Sequence, residues 1–470
     1  LNPFVSSASK VLTNYLTYSE GRNMETVNTE WFLRGNWAPL DEEKEIKNLK
    51  VDGSIPSELD GIYLRTGPNP KDGKGSHWFL GDGMVHGIRL KNGKAEWYRN
   101  RFVQTPDITE PLSDPMAGLG DLRRGKGNTH VVAHNEKIMC LEEAHWPWTI
   151  NADLETTGVL NYGGELDCSM TAHPKICPIT GELLAFSYFS FEQPYLKYIR
   201  VSADGKLQQV EGIELPEMVM MHDFNITRNF VIFMDLPLAL DLELLSTGIP
   251  FRFKRDKDAR LGVLPRNGES SEIRWFQINP CYVFHQVNSW EENNKIVLIV
   301  SRQESAFGEG SGDYSNVGRL YKWTIDLDRG TVSEEPIDDR AGDFGRVNDS
   351  FVGLQSKYGY LMSLDGEGNS EEPVYGPNLY KYDLVSGACQ EHYLGQDVRG
   401  AEPVFAASAR DSGEDAGWVM SLVHSEKTGK SKFVILDAQN FEAKPVATIE
   451  LPFRVPYGAH GNWIPAESVH

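Results

Sequence analysis

The chain has 470 residues, of which 40% are hydrophobic and 11% aromatic, so it can bury a large core as one large β architecture or as several domains. A formal net charge of -21 argues against a nucleic-acid partner, because binding phosphates requires a basic surface. The five cysteines are dispersed without a CxxC pair, and no run of about 18 apolar residues is present to span a bilayer. We therefore expect a folded globular protein with reduced thiols, for which a cytoplasmic location is the simplest interpretation.

The first 25 residues differ in pattern from the rest of the chain. Apolar residues recur there at helical spacing and predict one apolar helix face, made of Ala8, Val11, Leu12, Tyr15 and Leu16. Two interpretations stay open, a helix packed on the body of the protein and a helix that faces a membrane. Residues 26–470 form a second region with a different pattern.

The sequence of this second region predicts many short strands separated by turns. Glycine at 44 positions and proline at 25 interrupt any long helical period, and pairs such as Asp52-Gly53 and Asn92-Gly93 are typical of turns. Clear strand candidates are residues 61–65, 137–141, 230–234, 295–300 and 432–436. The sequence therefore predicts an all-β fold, and the density of strands suits a propeller although no internal repeat is detectable.

A second apolar segment, residues 236–251, is followed directly by the basic residues Arg252, Lys254, Arg255 and Lys257. Apolar residues bordered by cations are typical of segments that enter the headgroup region of a membrane, where they would admit a lipophilic substrate. A buried loop between strands explains the apolar half equally well. The sequence leaves both interpretations open.

Four of the twelve histidines stand in or beside apolar, strand-like segments: His173, His222, His285 and His460. A buried imidazole requires a partner, and a metal ion is one such partner. Their wide separation excludes a local metal motif, so only a fold such as a propeller, whose inner strands converge on one axis, would gather them. The spacing alone favours the alternative of scattered structural histidines.

Ordered motifs along nearly the whole chain carry a family resemblance. They include GNWAP at 35–39, LRTGPNP at 64–70, HWFLGDGMVHG at 77–87, TAHPK at 171–175, MMHDF at 220–224, GVLPR at 262–266 and RVPYGAH at 454–460. With these motifs the chain resembles the carotenoid cleavage oxygenase family, particularly its plant-type dioxygenases. The resemblance implies that residues 26–470 form a single seven-bladed β-propeller with a cap of loops and helices over a central iron site.

The same resemblance implies a function and a set of site residues. Fe(II) would be held by His173, His222, His285 and His460, and O2 would cleave a C=C double bond of a carotenoid or apocarotenoid in an apolar tunnel. Three outer carboxylates, Glu143, Glu402 and Glu442, would accept protons from ligand rings and fix their tautomers. Thr129 matches a small residue that crowds a vacant iron position, and Phe284 is expected to line the tunnel.

Other activities within the resemblance remain as alternatives. Stilbene-cleaving members have a lysine where Glu142 stands, so its absence disfavours that activity, and the similarity to plant-type enzymes disfavours the retinyl ester isomerase branch. A catalytically silent carotenoid-binding propeller would be favoured by a missing ligand, and none is missing. Ala459 and Leu80 depart from the plant-type pattern, which leaves the position of the cleaved bond open.

Overall fold

The computed structural model describes residues 30–468 except 74, 76, 114–117, 119, 248, 308–313, 369–371 and 411–412. The helix predicted in the first 25 residues lies outside this part of the chain. Within it, the single α-helical segment is one turn, Pro106–Thr109. Short 3-10 turns make up the remaining helical structure: Trp31–Leu33, Gly35–Trp37, Trp78–Leu80, Leu122–Arg124, Tyr162–Gly164, Leu242–Thr247, Ser270–Glu272, Asp349–Phe351 and Ala466–Ser468. None of the described helices is long and apolar enough to span a membrane.

Strands dominate the described residues. They are β1 Glu45–Lys47, β2 Lys50–Gly53, β3 Gly61–Pro68, β4 Gly83–Lys91, β5 Lys94–Phe102, β6 His130–His134, β7 Lys137–Leu141, β8 Trp148–Ile150, β9 Thr156–Val159, β10 Lys175–Ile176, β11 Leu183–Ser187, β12 Leu196–Val201, β13 Leu207–Ile213, β14 Asn225–Ile226, β15 Phe230–Asp235, β16 Leu238–Leu240, β17 Phe251–Phe253, β18 Ala259–Pro265, β19 Arg274–Ile278, β20 Tyr282–Glu292, β21 Lys295–Gln303, β22 Arg319–Asp326, β23 Thr331–Arg346, β24 Tyr358–Leu364, β25 Tyr375–Asp383, β26 Cys389–Tyr393, β27 Val398–Arg399, β28 Val404–Ala407, β29 Gly417–Ser425, β30 Lys430–Asp437, β31 Ala447–Leu451 and β32 Gly461–Pro465. All five strand candidates from the sequence are confirmed.

These strands form the seven blades of a propeller. Three blades are four-stranded antiparallel sheets, β6–β9, β10–β13 and β14-β15-β18-β19. The long strand β23 runs from one sheet into the next, so that β20–β26 form two blades that share it. The last two blades are β1-β5-β4-β3-β32 and the sheet of β2, β31, β30 and β29, with β27 and β28 beside β29. The predicted all-β, seven-bladed architecture is confirmed.

Strands from the two ends of the described chain share these last two blades. Strand β32 pairs with β3, with Gly461 opposite Arg65, and β2 pairs with β31, with Lys50 opposite Glu450. The ring is thus closed by backbone hydrogen bonds between segments that are nearly 400 residues apart in the sequence. Closure of this kind removes exposed sheet edges at the ends of the ring.

Apolar side chains fill the space between blades. In one cluster Phe186, Phe224 and Phe233 are fully buried, with ring centroids 5.1 Å apart for Phe186 and Phe224 and 6.1 Å apart for Phe224 and Phe233. Strands β11 and β15, which carry Phe186 and Phe233, are buried on both faces, because a blade packs against a neighbour on each side. Burying such rings stabilises the fold by roughly 25 cal/mol per Å² of apolar surface, which holds the blades around a common axis.

In the apolar segment 236–251, strand β16 is followed by the 3-10 turn Leu242–Thr247 and pairs with strand β17, which begins at Phe251. Leu236 and Leu238 are buried, whereas Leu242 is 46% exposed. The cations that follow are ion-paired: Arg252 with Asp241 at 2.5 Å, Lys254 with Glu217 at 2.5 Å and Lys257 with Asp235 at 2.9 Å. The apolar half of the segment is therefore largely interior, and most of its basic residues are neutralised locally.

Candidate metal centre

The propeller brings the four predicted histidines together at its axis. His173, His222 and His460 each lie just before the inner strand of a different blade, β10, β14 and β32, and His285 lies within inner strand β20. All four are buried, and one nitrogen from each ring falls within 4.8 Å of the others. The Nε2 atoms of His173 and His460 are 3.0 Å apart, and those of His222 and His285 are 3.1 Å apart.

These distances fit a bound transition-metal ion. An imidazole nitrogen lies about 2.1 Å from such an ion, so two nitrogens at right angles around it are about 3.0 Å apart. Both close pairs have this separation. A cluster of four neutral nitrogens also leaves coordination positions open for small ligands, as non-haem iron sites require. The residues present therefore suit a metal ion with an accessible coordination sphere.

Burial keeps two of the rings in the form that a metal binds. The pKa values of His173 and His460 lie well below the ordinary histidine value, because burial and the neighbouring imidazoles disfavour a charged ring. A neutral ring has a free lone pair for a metal ion. At His285 burial has the same effect, but the charge of the adjacent Asp343 outweighs it and raises the pKa.

Three of the four rings have a carboxylate at the second nitrogen. Glu402 Oε1 lies 2.9 Å from His460 Nδ1, and its other oxygen accepts the backbone N–H of Gly461 at 2.7 Å. Glu143 contacts Nδ1 of His222. A carboxylate at Nδ1 holds the proton there and directs the Nε2 lone pair at the metal, which fixes both tautomer and ring orientation.

The third carboxylate is Asp343, and the prediction of Glu442 at this site is corrected. Asp343 Oδ1 lies 3.1 Å from His285 Nδ1, and both side chains are buried. Glu442 is exposed, in the turn between β30 and β31. The ligand rings that have a carboxylate at Nδ1 pair with Glu143, Asp343 and Glu402 instead. In the sequence Asp343 is one acidic residue among several in this region, and its position beside Phe344 does not show which side chain faces His285.

Two further features of the site were not anticipated from the sequence, one contact and one missing partner. Tyr188, which is buried, donates its hydroxyl to the second carboxylate oxygen of Glu143. This bond leaves Glu143 with a defined orientation toward His222, since each oxygen has its own partner. His173 differs from the other ligands, because no carboxylate of the described residues pairs with its Nδ1, whereas Glu143, Asp343 and Glu402 each pair with one of the other three rings.

An apolar cavity of about 370 Å³ adjoins the histidines. We refer to it as the tunnel; its wall includes His222, His285 and His460 together with the aromatic residues Trp31, Trp37, Trp78, Tyr188, Phe189, Phe251, Phe284, Phe307, Tyr314, Phe344 and Tyr375. Such a wall suits a long conjugated hydrocarbon, which buries apolar surface and stacks on rings without requiring hydrogen bonds.

Thr129 and Phe284 both line this tunnel. Thr129 lies just before inner strand β6, its carbonyl accepts the backbone N–H of His460 at 2.9 Å, and its hydroxyl donates to Asn128 at 2.9 Å. Phe284 places its ring centroid 5.4 Å from that of His222, at an angle of 83°. Both residues thus lie beside the histidines in the structure.

Comparison with known proteins agrees with this arrangement. Residues 37–465 match the family model described as retinal pigment epithelial membrane protein. The carotenoid 9,10(9',10')-cleavage dioxygenase 1 of Pisum sativum is 37% identical over 92% of this chain and 90% of its own length. The chain belongs to the carotenoid cleavage oxygenase family.

Solved structures of the family share the fold. The lignostilbene dioxygenase of Pseudomonas brassicacearum superimposes with a TM-score of 0.85 and 28% identity, covering 94% of this chain and all of the other. Cobalt-substituted Synechocystis ACO gives a TM-score of 0.80 and 27% identity over 91% of this chain and 97% of the other. The family predicted from motifs is therefore confirmed, and it is a family of oxygenases.

The family alternatives can be weighed against the site. Glu142, which stands where the stilbene-cleaving pattern has lysine, lines the tunnel and contacts Nδ1 of His145. That pair offers a carboxylate in place of a cationic amine, so the stilbene alternative is not favoured. A silent binding protein is not favoured either, because the four histidines are all present and gathered.

Proposed function

We propose that this protein is an Fe(II)-dependent dioxygenase that cleaves a C=C double bond of a carotenoid or apocarotenoid. The observation that carries the proposal is the cluster of four buried histidines, with no carboxylate among them, at the wall of an aromatic tunnel. When bound, the iron supplies the activation of O2 for attack on an electron-rich double bond.

The work of the chain itself is to bind, orient and exclude water. His173, His222, His285 and His460 hold the metal through neutral nitrogens, and Glu143, Asp343 and Glu402 keep the protons on the outer nitrogens of three of these rings. Thr129 stands beside His460 in the tunnel wall, where it limits the space for small ligands. Phe284 and the other aromatic residues of the tunnel wall hold the polyene and exclude water from the reacting double bond.

We further propose that the scissile bond is the 9,10 double bond, the position named for the pea relative. Purified protein given a C40 carotenoid and an apocarotenoid under ¹⁸O2 is expected to form carbonyl products whose masses correspond to this bond, with one labelled oxygen in each. Mass spectrometry with rapid reduction of the aldehyde and ketone products to alcohols, which prevents exchange of their oxygen with water, checks both points.

A hydroxystilbene substrate is the matched comparison in the same assay. We expect it to be cleaved at least about tenfold more slowly than the polyene, because Glu142 stands in the tunnel wall where stilbene-cleaving relatives have a lysine. Preferential turnover of the stilbene would overturn the carotenoid proposal, and cleavage at another polyene bond would overturn only the assignment of the 9,10 position.

We also propose that the protein contacts membranes peripherally to collect its substrate. Two large apolar side chains near the tunnel wall are exposed, Phe191 at 54% and Leu242 at 46%. The ring of Phe191 lies 5.7 Å from that of Phe189, which lines the tunnel, and Leu242 belongs to the segment that supplies Phe251 to it. The apolar face predicted in the first 25 residues is a second proposed contact.

Replacing Phe191 and Leu242 together with glutamate is expected to lower binding to phosphatidylcholine vesicles by at least about tenfold, since each loses apolar burial in the bilayer and adds a charge. Cosedimentation measures the effect. Val385→Glu, which alters a side chain that is 73% exposed in the turn after β25, is the matched control and is expected to bind as the wild type does. Equal binding by all three proteins would contradict the contact.

A further inference from the structure

A second cavity, of about 430 Å³, also reaches the histidines, and we refer to it as the polar channel. Its inner end is formed by His173, His285 and His460. Its outer end includes Asp349 and Ser350, which are exposed to solvent. The polar channel therefore connects the candidate metal centre to the surface along a wall that differs from that of the tunnel.

Charged residues face the polar channel between these two ends. Lys175 pairs with the buried Asp223 at 2.6 Å. Arg346 lies 3.5 Å from both Glu402 and Asp349, and donates to the carbonyl of Gly461 at 2.9 Å. The wall thus offers three carboxylates against two cations, each cation already paired. A hydrated divalent cation keeps favourable interactions along such a wall, whereas the aromatic wall of the tunnel would strip its water without replacing it.

His173 is the ligand that links this channel to the metal. It lines the polar channel and does not appear in the wall of the tunnel. It is also the ligand without a carboxylate partner, and its Nδ1 is buried with no hydrogen-bond partner in the described part of the chain. The ring is therefore held less firmly than the other three, which suits a ligand that an arriving ion meets first.

A fifth histidine, His130, lies in the same wall. Its ring centroid is 5.1 Å from that of His460 and 5.7 Å from that of His173. His130 Nδ1 donates to the carbonyl of Ala172 at 2.9 Å, so the lone pair of this ring is at Nε2, which is buried and unpartnered among the described residues. His130 thus presents a metal-binding atom next to the four ligands without belonging to their cluster.

From these contacts we infer that the metal ion enters through the polar channel, with His130 as a transient ligand that passes it to His173 and His460. The inference rests on the metal centre of the proposed function and assigns it a loading route that is separate from the substrate tunnel. Metal entry and substrate entry then do not compete, so a protein with lipid in its tunnel still acquires its ion.

The test follows uptake of Co(II) by metal-free, full-length protein in stopped flow, by the visible absorption of the bound ion and without any substrate. Two variants alter the channel: Ser350→Trp narrows its outer end, and His130→Phe removes the transient ligand while keeping a ring. Each is expected to slow uptake by about tenfold and to leave the final stoichiometry near that of the wild type. Ser57→Trp, at an exposed serine outside both cavities, is the matched control.

A tunnel variant separates the two routes. Leu364 lines the tunnel and not the polar channel, so Leu364→Trp is expected to slow polyene turnover while cobalt uptake keeps the wild-type rate. Uptake that is slowed by Leu364→Trp and not by Ser350→Trp would overturn the inference, as would equal rates in all variants. Wild-type protein that binds cobalt yet cleaves no polyene would refute the proposed activity alone, and wild-type protein that binds no metal would refute both.

Discussion

Replacement of His285 with alanine is expected to abolish double-bond cleavage and to lower the iron content of the purified protein well below that of the wild type. His285 Nε2 lies 3.1 Å from His222 Nε2 and lines both cavities, so its loss removes one of four metal-binding atoms and leaves a hole in the centre of the site. Changing an outer partner alone typically costs 10- to 100-fold, so loss of a ligand is expected to exceed about 100-fold in kcat. Iron analysis and product chromatography measure the two effects.

His392→Ala is the matched control for this experiment. His392 is also buried, at 6% exposure, and its Nδ1 donates to the carbonyl of Phe441 at 3.1 Å, outside the four-histidine cluster. Its removal is expected to destabilise the fold by about 1–3 kcal/mol, visible as a lower Tm, while iron content and kcat stay near wild type. Normal cleavage by the His285 variant, or equal loss of iron in both variants, would contradict the ligand role.

The second large effect is expected from Asp343→Asn. The amide has nearly the size of the carboxylate but no charge, so it holds the Nδ1 proton of His285 less strongly and no longer compensates the charge of the metal. We expect kcat to fall by about 10- to 100-fold and iron to dissociate faster in the presence of a chelator. Steady-state kinetics on iron-loaded protein and a chelator challenge check these outcomes.

Glu442→Gln makes the same chemical change at the exposed carboxylate that the family resemblance suggested. Because Glu442 lies in the turn between β30 and β31, we expect its kcat and iron retention to match the wild type within about twofold. If Glu442→Gln lost activity while Asp343→Asn kept it, the carboxylate partner of the metal site would be Glu442, as the resemblance suggested, and the assignment of Asp343 would be refuted.

Sequence reasoning placed some members of the site and missed others for a physical reason. His222, in MMHDF, and His460, in RVPYGAH, lie in distinctive motifs whose other residues are mostly buried as well. Each motif therefore identified a histidine that is also buried in the fold. Glu442 has no such surroundings, and its assignment depended on a match within a short turn. Asp343 lies in β23, where the pairing with β24 is irregular between Asp343 and Arg346. That irregularity decides which side chain faces His285, and nothing in the local sequence reveals it.

The apolar segment 236–251 shows the same distinction. Its composition predicted either a buried loop or an interfacial segment, and the structure places Leu238 inside while leaving Leu242 exposed. The charge pattern was a poor guide to the basic residues, because Arg252 meets Asp241 only when β16 and β17 pair, and Lys254 pairs with Glu217 from outside the segment. Local composition describes what a segment contains, whereas its exposure depends on the neighbours it meets.

The sequence by itself determined the strand pattern, the all-β class, the family and the four histidines, since each depends on residues that are close together in the chain. Only the tertiary structure decided that these histidines meet, that Asp343 replaces Glu442, and that a polar channel reaches the same centre. The physical reason is the closed ring of blades. His173 and His460 are 287 residues apart in the sequence, and their Nε2 atoms come within 3.0 Å because the inner edges of all seven blades face one axis.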